Sequence, residues 1–164
     1  MVKMLNQKES LYFSRFYPFK SPCRSQKKYQ ATLGIGGNMG DVKRRFNHLF
    51  WYLQRSPFID VLQTSPVLKN PPFGYLEQDD FHNALIIVKT CLQPKALLRY
   101  ILNIEKRFSR KRSFPDAPRT LDIDMIFYEN VQMKSRKLTL PHPSWDKRDS
   151  VLIPLSYLHL QRIC

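Results

Sequence analysis

Asp122 and Asp124 stand two residues apart in the run Arg119-Thr120-Leu121-Asp122-Ile123-Asp124-Met125-Ile126. The run reads as a β-strand in which Leu121, Ile123, Met125 and Phe127 alternate with Asp122, Asp124 and Ile126. Successive side chains on a strand point to opposite faces, so both carboxylates share one face, with Cα atoms roughly 6–7 Å apart. Carboxylate oxygens at that separation can grip one hard cation or a pair of them. Arg119, three residues before Asp122, adds a positive charge beside them. The combination suggests chemistry on a phosphate ester or anhydride. The plain alternative is a half-exposed strand with two solvated aspartates, and a bare Asp-x-Asp does not separate the two.

Other residues carry weaker signals. Arg110, Lys111 and Arg112 lie in the loop entering the aspartate strand. Such a loop can close over a polyphosphate and neutralise developing charge, or it is a solvated charge run. Glu105 falls four residues after Ile101 and seven after Leu98, against the apolar stripe of a helix. A carboxylate there needs a partner, either a Lys or Arg at the edge of the stripe or a ligand. Asn83 interrupts an apolar strand, with Phe81 two residues earlier on the same face. An amide and an aromatic so placed suit a planar heterocycle, while a bulge or a sheet edge accounts for the asparagine alone. His142, Lys147 and Arg148 can contact a nucleotide phosphate, although a lone histidine is commonly structural.

These residues need elements to position them. Gln30–Ile35 is a strand candidate that runs into Gly34-Ile35-Gly36-Gly37-Asn38-Met39-Gly40-Asp41, where four of the five glycines fall. This stretch lacks the spacing of a nucleotide phosphate loop and reads as a tight strand-to-helix turn. Asp41 can cap the helix that follows, and Asn38 can order a neighbouring loop. Val42, Phe46, Leu49, Phe50 and Leu53 recur at helical spacing. Ile59–Thr64 is a second strand, residues 65–80 a long loop, and Phe81–Val88 a third strand. Pro94 opens a second helix with Leu97, Leu98, Ile101, Ile104 and Phe108 on its apolar face. The aspartate strand follows, then a short strand over Lys137–Leu140 and an apolar segment over Val151–Leu158. The order β-α-β-β-α-β predicts an α+β, ferredoxin-like fold, with an antiparallel sheet and both main helices on one face.

Composition narrows the class. The chain of 164 residues predicts one domain with one core. Residues 1–28 hold seven Lys or Arg against one acid, are interrupted by Pro18 and Pro22, and predict a basic, disordered extension ahead of a domain over 29–164. The net charge of +14 points to an anionic partner without separating nucleic acid from nucleotide. No run reaches the roughly 20 apolar residues of a membrane span. Cys23, Cys91 and Cys164 show neither disulfide nor zinc spacing, which suits a reducing cytoplasm.

Five ordered stretches together resemble the 6-hydroxymethyl-7,8-dihydropterin pyrophosphokinase family of folate biosynthesis. They are Gly-Ile-Gly-Gly-Asn-Met-Gly-Asp (34–41), Thr-Ser-Pro-Val (64–67), Phe-His-Asn-Ala (81–84), Ala-Pro-Arg-Thr-Leu-Asp-Ile-Asp-Met-Ile (117–126) and Leu-Pro-His-Pro with its sequel (140–155). The resemblance implies transfer of the β,γ-pyrophosphoryl group of ATP to the pterin hydroxymethyl, with release of AMP. It implies that Asp122 and Asp124 hold two Mg²⁺ ions and that Arg119, Arg110 and Arg112 clamp phosphates. It gives Thr139, His142, Arg148 and Glu105 to the nucleotide, and Thr64, Val67, Phe81 and Asn83 to the pterin. It implies a cytoplasmic monomer that binds neither nucleic acid nor membrane. The chain departs from the family where Asp116-Ala117 replace a common Trp-Gly pair and where Pro143 and Ser150 replace common aromatics, which leaves Phe73 or Phe114 to cover one pterin face.

The rival readings are a nucleic-acid-binding ferredoxin-like domain, an aspartate phosphatase and a degenerate family member. The first lacks the aromatic, basic strand of an RNA-recognition sheet. The second needs a doubly wound parallel sheet. The third is opposed by the intact Arg119, Asp122 and Asp124.

Overall fold

The computed structural model describes residues 1–108 and 114–159. Five strands and two helices build the central layer: β4 (Tyr29–Gly37), α1 (Val42–Gln54), β5 (Ile59–Thr64), β6 (Val67–Asn70), β7 (Phe81–Thr90), α2 (Pro94–Arg107) and β8 (Asp122–Tyr128). β7 lies beside β4, β4 beside β8, and every pairing is antiparallel. β5 and β6 share the other edge of β7, β5 along Ile86–Thr90 and β6 along Phe81–Asn83. Setting β6 aside, the order β5-β7-β4-β8 with two crossover helices is the ferredoxin-like arrangement.

Both crossover helices form where the apolar spacing places them. Asp41 caps α1 by accepting from the Arg44 amide at 3.0 Å. Val42, Phe46, Leu49, Phe50 and Leu53 are its buried residues. Pro94 opens α2, which buries Leu97, Ile101, Ile104 and Glu105. One cluster joins the apolar residues among these to Ala31, Leu33 and Ile35 of β4, Ala84, Ile86 and Val88 of β7, and Ile123 and Met125 of β8. Both helices therefore cover one sheet face. The second face is covered in part by α3 (Asp149–Leu155), whose Val151 packs with Leu85, Ile87 and Ile126.

The structure differs from the sequence reading in four places. β4 continues as strand through Gly37, so the first half of the glycine run read as a tight turn is paired in the sheet. The segment read as one loop over 65–80 contains β6, a four-residue strand bracketed by Pro66 and Pro71. The alternation read through Phe127 breaks, because the β4–β8 register shifts between Thr32 and Leu33. That irregularity leaves Ile126 without an opposite residue and turns Phe127 onto the second face, against Trp145. The extension expected to be disordered is structured over much of its length. β1 (Val2–Met4) pairs with β2 (Ser10–Tyr12), β2 pairs with β6, and β3 (Phe19–Lys20) pairs with β5. Its aromatics explain the difference. Tyr17 is 1% exposed and donates to the Phe46 carbonyl at 3.0 Å, while Phe16 stacks on Phe50 at 4.7 Å. Such burial offsets the ordering cost that polar, basic composition alone would leave unmet.

Candidate active site

Asp122 and Asp124 lie on the second face of β8, on the half of the sheet that bears the glycines of β4. Gly36 pairs with Asp122 on one side and Asn83 on the other, and Gly34 pairs with Asp124 and Leu85. Directly paired residues share a face, so Asn83, Gly36 and Asp122 form a row across three strands. A Cβ at Gly36 would sit 2.7 Å from Asn83 Oδ1. The glycine thus leaves a flat floor between an amide and a carboxylate.

The carboxylates are held from several sides. Arg119 Nη1 is 2.6 Å from Asp122 Oδ2, with both side chains largely buried. The same guanidinium lies 5.3 Å from the centre of the Phe81 ring, so it joins the aspartate end of the row to the aromatic beside Asn83. His142 Nε2 is 3.8 Å from Asp124 Oδ2. β8 is an outer strand of the sheet, and its outward groups need partners. The Ile126 carbonyl accepts from the His142 amide at 2.9 Å, and the Ile123 amide donates to Glu105 Oε1 at 2.8 Å. Glu105 is 3% exposed. It braces the residue between the two aspartates from the helix side of the sheet.

Asn38 ties three segments together. Its backbone amide donates to the Arg119 carbonyl at 3.0 Å, and its Oδ1 accepts from the Arg119 amide at 2.9 Å. Its Nδ2 donates to Gln78 Oε1 at 2.9 Å and to the Asp79 carbonyl at 3.0 Å. Arg45 Nη1 adds bonds to the Met39 and Thr120 carbonyls. The ordering of the neighbouring loop by Asn38 was legible in the sequence. The grip of Asn38 and Arg45 on residues 119–120 was not, because nothing in a sequence shows which loop a side chain crosses.

The remaining expected site residues divide. Phe81 and Asn83 share the floor's face, and Asn83 Nδ2 donates to Asn70 Oδ1 at 2.7 Å. Asn70 was missed because its strand was read as loop. The side chains of Thr64 and Val67 turn to the helix-side core, since both residues are buried and Val67 packs in that cluster. The Thr64 hydroxyl donates to the Phe16 carbonyl. Any contact of these two with a ligand on the second face falls to their backbones. Thr139 lies in β10 (Thr139–Leu140), which pairs with β9 (Met133–Lys134), and Arg148 precedes α3. Arg110 and Arg112 lie outside the described residues. Phe73 is 88% exposed, and Phe114 meets Tyr75 edge-on at 5.4 Å, so these aromatics sit on the two loops flanking the floor. Gln78 Nε2 donates to the Asp116 carbonyl at 2.9 Å and joins those loops.

Among the described residues no cluster of three or more His, Cys, Asp or Glu side chains is arranged to hold a metal. Two carboxylates on an open floor are a fitting set for Mg²⁺, which takes one or two protein carboxylates and draws its other oxygens from water and phosphate. The +14 charge supplies the complementary field for a polyphosphate. No described helix is long and apolar enough to cross a membrane.

Comparison with known proteins places this geometry in context. Residues 32–160 match the family model described as 7,8-dihydro-6-hydroxymethylpterin-pyrophosphokinase. A 2-amino-4-hydroxy-6-hydroxymethyldihydropteridine pyrophosphokinase of Helicobacter pylori is 42% identical over 145 residues, covering 87% of this chain and 89% of that protein. The Campylobacter jejuni protein of the same name is 39% identical over 145 residues, covering 88% and 92%. Both alignments outrun the family-model match and take in part of the N-terminal segment. The folic acid synthesis protein FOL1 of Dictyostelium discoideum is 39% identical over 124 residues, covering 76% of this chain and 19% of that longer protein.

Proposed function

The chain belongs to the 7,8-dihydro-6-hydroxymethylpterin-pyrophosphokinase family, and on that premise we propose that it transfers pyrophosphate from ATP to 6-hydroxymethyl-7,8-dihydropterin in folate biosynthesis. The hydroxymethyl oxygen attacks the β-phosphorus of ATP and releases its proton to solvent, the bond from that phosphorus to the α,β-bridging oxygen breaks, and AMP leaves. The observation that carries this reading is the row Asn83–Gly36–Asp122, with Arg119 paired to its carboxylate end. The row sets an amide and a carboxylate on one flat surface, roughly 10 Å apart across a residue with no side chain.

The residues take the following parts. The Asn83 amide reads the polar edge of the pterin, and Phe81 lines its pocket. Thr64 and Val67 contribute backbone groups to that edge. Arg119 clamps the transferred phosphates while Asn38 fixes its backbone, and Arg110 and Arg112 join the clamp from the preceding loop. Thr139, His142 and Arg148 contact ATP. Glu105 acts through β8, holding the Ile123 amide so that the flanking aspartates keep their aim. Asp122 and Asp124 would hold two Mg²⁺ ions, which supply charge neutralisation and in-line alignment of the phosphates when bound. The protein acts as a cytoplasmic monomer, with ATP and a pterin as its ligands and no nucleic acid among them.

The test is AMP release from purified protein supplied with ATP, Mg²⁺ and 6-hydroxymethyl-7,8-dihydropterin. AMP that forms only with both pterin and metal is the expected result. ADP in place of AMP would mean a conventional kinase, and no nucleotide product would mean an inactive relative.

A further inference from the structure

We infer that residues 10–20 are a positioning element of the pterin-binding edge, built into the sheet beside it. The inference rests on the pterin reading proposed for Asn83. The row that carries the site does not stop at Asn83. Asn83 pairs with Leu68 of β6, and Leu68 pairs with Leu11 of β2, so Leu11, Leu68, Asn83, Gly36 and Asp122 cross five strands in one line. Leu11 and Leu68 are both fully buried.

β6 is a poor strand to leave at an edge. It is four residues long, Pro71 follows it, and β7 pairs with it only at Leu68, Lys69 and Asn70. Strands this short hold their place through their neighbours. β2 supplies the second neighbour at Val67, Leu68 and Lys69. The last residue of β6 is Asn70, whose Oδ1 takes the Asn83 amide proton at 2.7 Å and so sets which way that amide faces. The 71–80 loop starts at the next residue.

The same N-terminal segment grips the neighbouring strand. Phe19 pairs with Thr64, and the Thr64 hydroxyl donates to the Phe16 carbonyl. Two of the four positions expected at the pterin, Thr64 and Val67, are thus paired with residues of this segment. Its hairpin also touches the chain just beyond α3. Lys3 Nζ donates to the Tyr157 hydroxyl at 3.4 Å, and the Phe13 and Tyr157 rings meet edge-on at 6.3 Å, just beyond α3. Loosening β2 frees β6, then Asn70, then the Asn83 amide. ATP is assigned to β8 and the segment after it, at the opposite end of the row and two strands beyond Asn83, so it touches none of the residues that β2 holds in place.

The experiment compares the full chain with Leu11→Ala and with a deletion of residues 1–13, which keeps Tyr17 and β3. The expected result is a pterin KM raised about tenfold in the deletion and about threefold in L11A, with ATP KM within about twofold. An unchanged pterin KM in a folded variant, or an equal rise for both substrates, overturns the inference. If the deletion does not fold, L11A decides. Hydrogen exchange tests the coupling without turnover. Protection over residues 67–83 falls in L11A while α1 and α2 stay protected, and unaltered protection there overturns the inference as well. A wild-type chain that releases no AMP, yet shows this exchange pattern, would refute the proposed function and leave the mechanical coupling standing.

Discussion

Gly36→Ala and Gly37→Ala, adjacent and chemically identical changes, are expected to fail in different ways. A Cβ at Gly36 meets Asn83 Oδ1 at 2.7 Å, well inside the 3.4 Å at which ordinary contact begins. The obstacle is a side-chain amide, which can swing aside. Swinging breaks its 2.7 Å bond to Asn70, a loss of about 0.5–1.5 kcal/mol in stability. It also takes the amide off the pterin edge. Leaving polar groups unpaired there costs about 1–3 kcal/mol, or roughly 5- to 150-fold in pterin KM. A Cβ at Gly37 instead meets the Thr120 carbonyl at 2.6 Å and the Arg119 carbonyl at 3.4 Å. Backbone cannot swing, so β4 and the segment entering β8 must part. Overpacking of this kind costs about 1–3 kcal/mol, and in a chain of this size each kcal/mol lowers Tm by about 2–4 °C. Arg119 moves with that segment, so kcat falls as well. The assay is steady-state AMP release with each substrate varied in turn, beside a thermal melt of each variant. A G36A enzyme with wild-type pterin KM would refute the role given to Asn83. Equal pterin KM effects in both variants would refute the distinction between side-chain and backbone collisions.

Three further perturbations separate chemistry from folding. Asp122→Asn and Asp124→Asn should each lower AMP release at least about 10³-fold. Asp122→Asn should also cost stability, about 1–3 kcal/mol, because Asp122 is tied to Arg119 at 2.6 Å with both side chains largely buried; an unchanged Asp122→Asn melt or a fully active variant would contradict this. Glu105→Ala strands the buried Ile123 amide at a cost of about 1–3 kcal/mol and should lower kcat, while Glu105→Gln keeps an acceptor and should stay nearer wild type; an Ala variant unchanged in both melt and kcat would remove Glu105 from the argument. Burial, with help from Lys43 and Lys69, holds the His82 imidazole below its usual range. The unfolded chain then binds the proton more readily, so stability holds above the ordinary histidine value of about 6.5 and is lost as pH falls through it; thermal melts between pH 8 and pH 5 should show this loss shrinking in His82→Leu, and an unchanged profile would assign the acid sensitivity elsewhere.

Much of the fold was legible because two local signals agreed with the tertiary answer. The helical spacing of Val42, Phe46, Leu49, Phe50 and Leu53 matches the residues α1 buries, and Pro94 marks the first residue of α2. β6 was not legible, because Ser65-Pro66 and Pro71-Pro72 read as loop chemistry and four residues between prolines carry too little periodicity to oppose it. The break in alternation at Ile126 was hidden for a related reason. A bulge is a property of two strands, and a single run of Met-Ile-Phe fits either register.

The candidate site divides along the same physical line. Asp122, Asp124, Arg119, Phe81 and Asn83 could be grouped from sequence because each owes its face to period-2 alternation on its own strand or to nearness in the chain. Glu105, Thr64 and Val67 could not be placed so well. Their residue types fit a ligand contact, but the direction of each side chain depends on which sheet face the helices cover. Glu105 shows the consequence. A carboxylate against an apolar stripe needs a partner, and the sequence offered cations and ligands, whereas the partner found is a backbone amide of the outermost strand. A strand at the edge of a sheet must satisfy its outward groups, and here the residue whose amide is satisfied lies between two carboxylates. The need to finish an edge and the need to aim a metal pair meet at Ile123, so a change at Glu105 should move stability and kcat together. A stability loss in Glu105→Ala at unchanged kcat would show that finishing the edge and aiming the carboxylates are separate tasks.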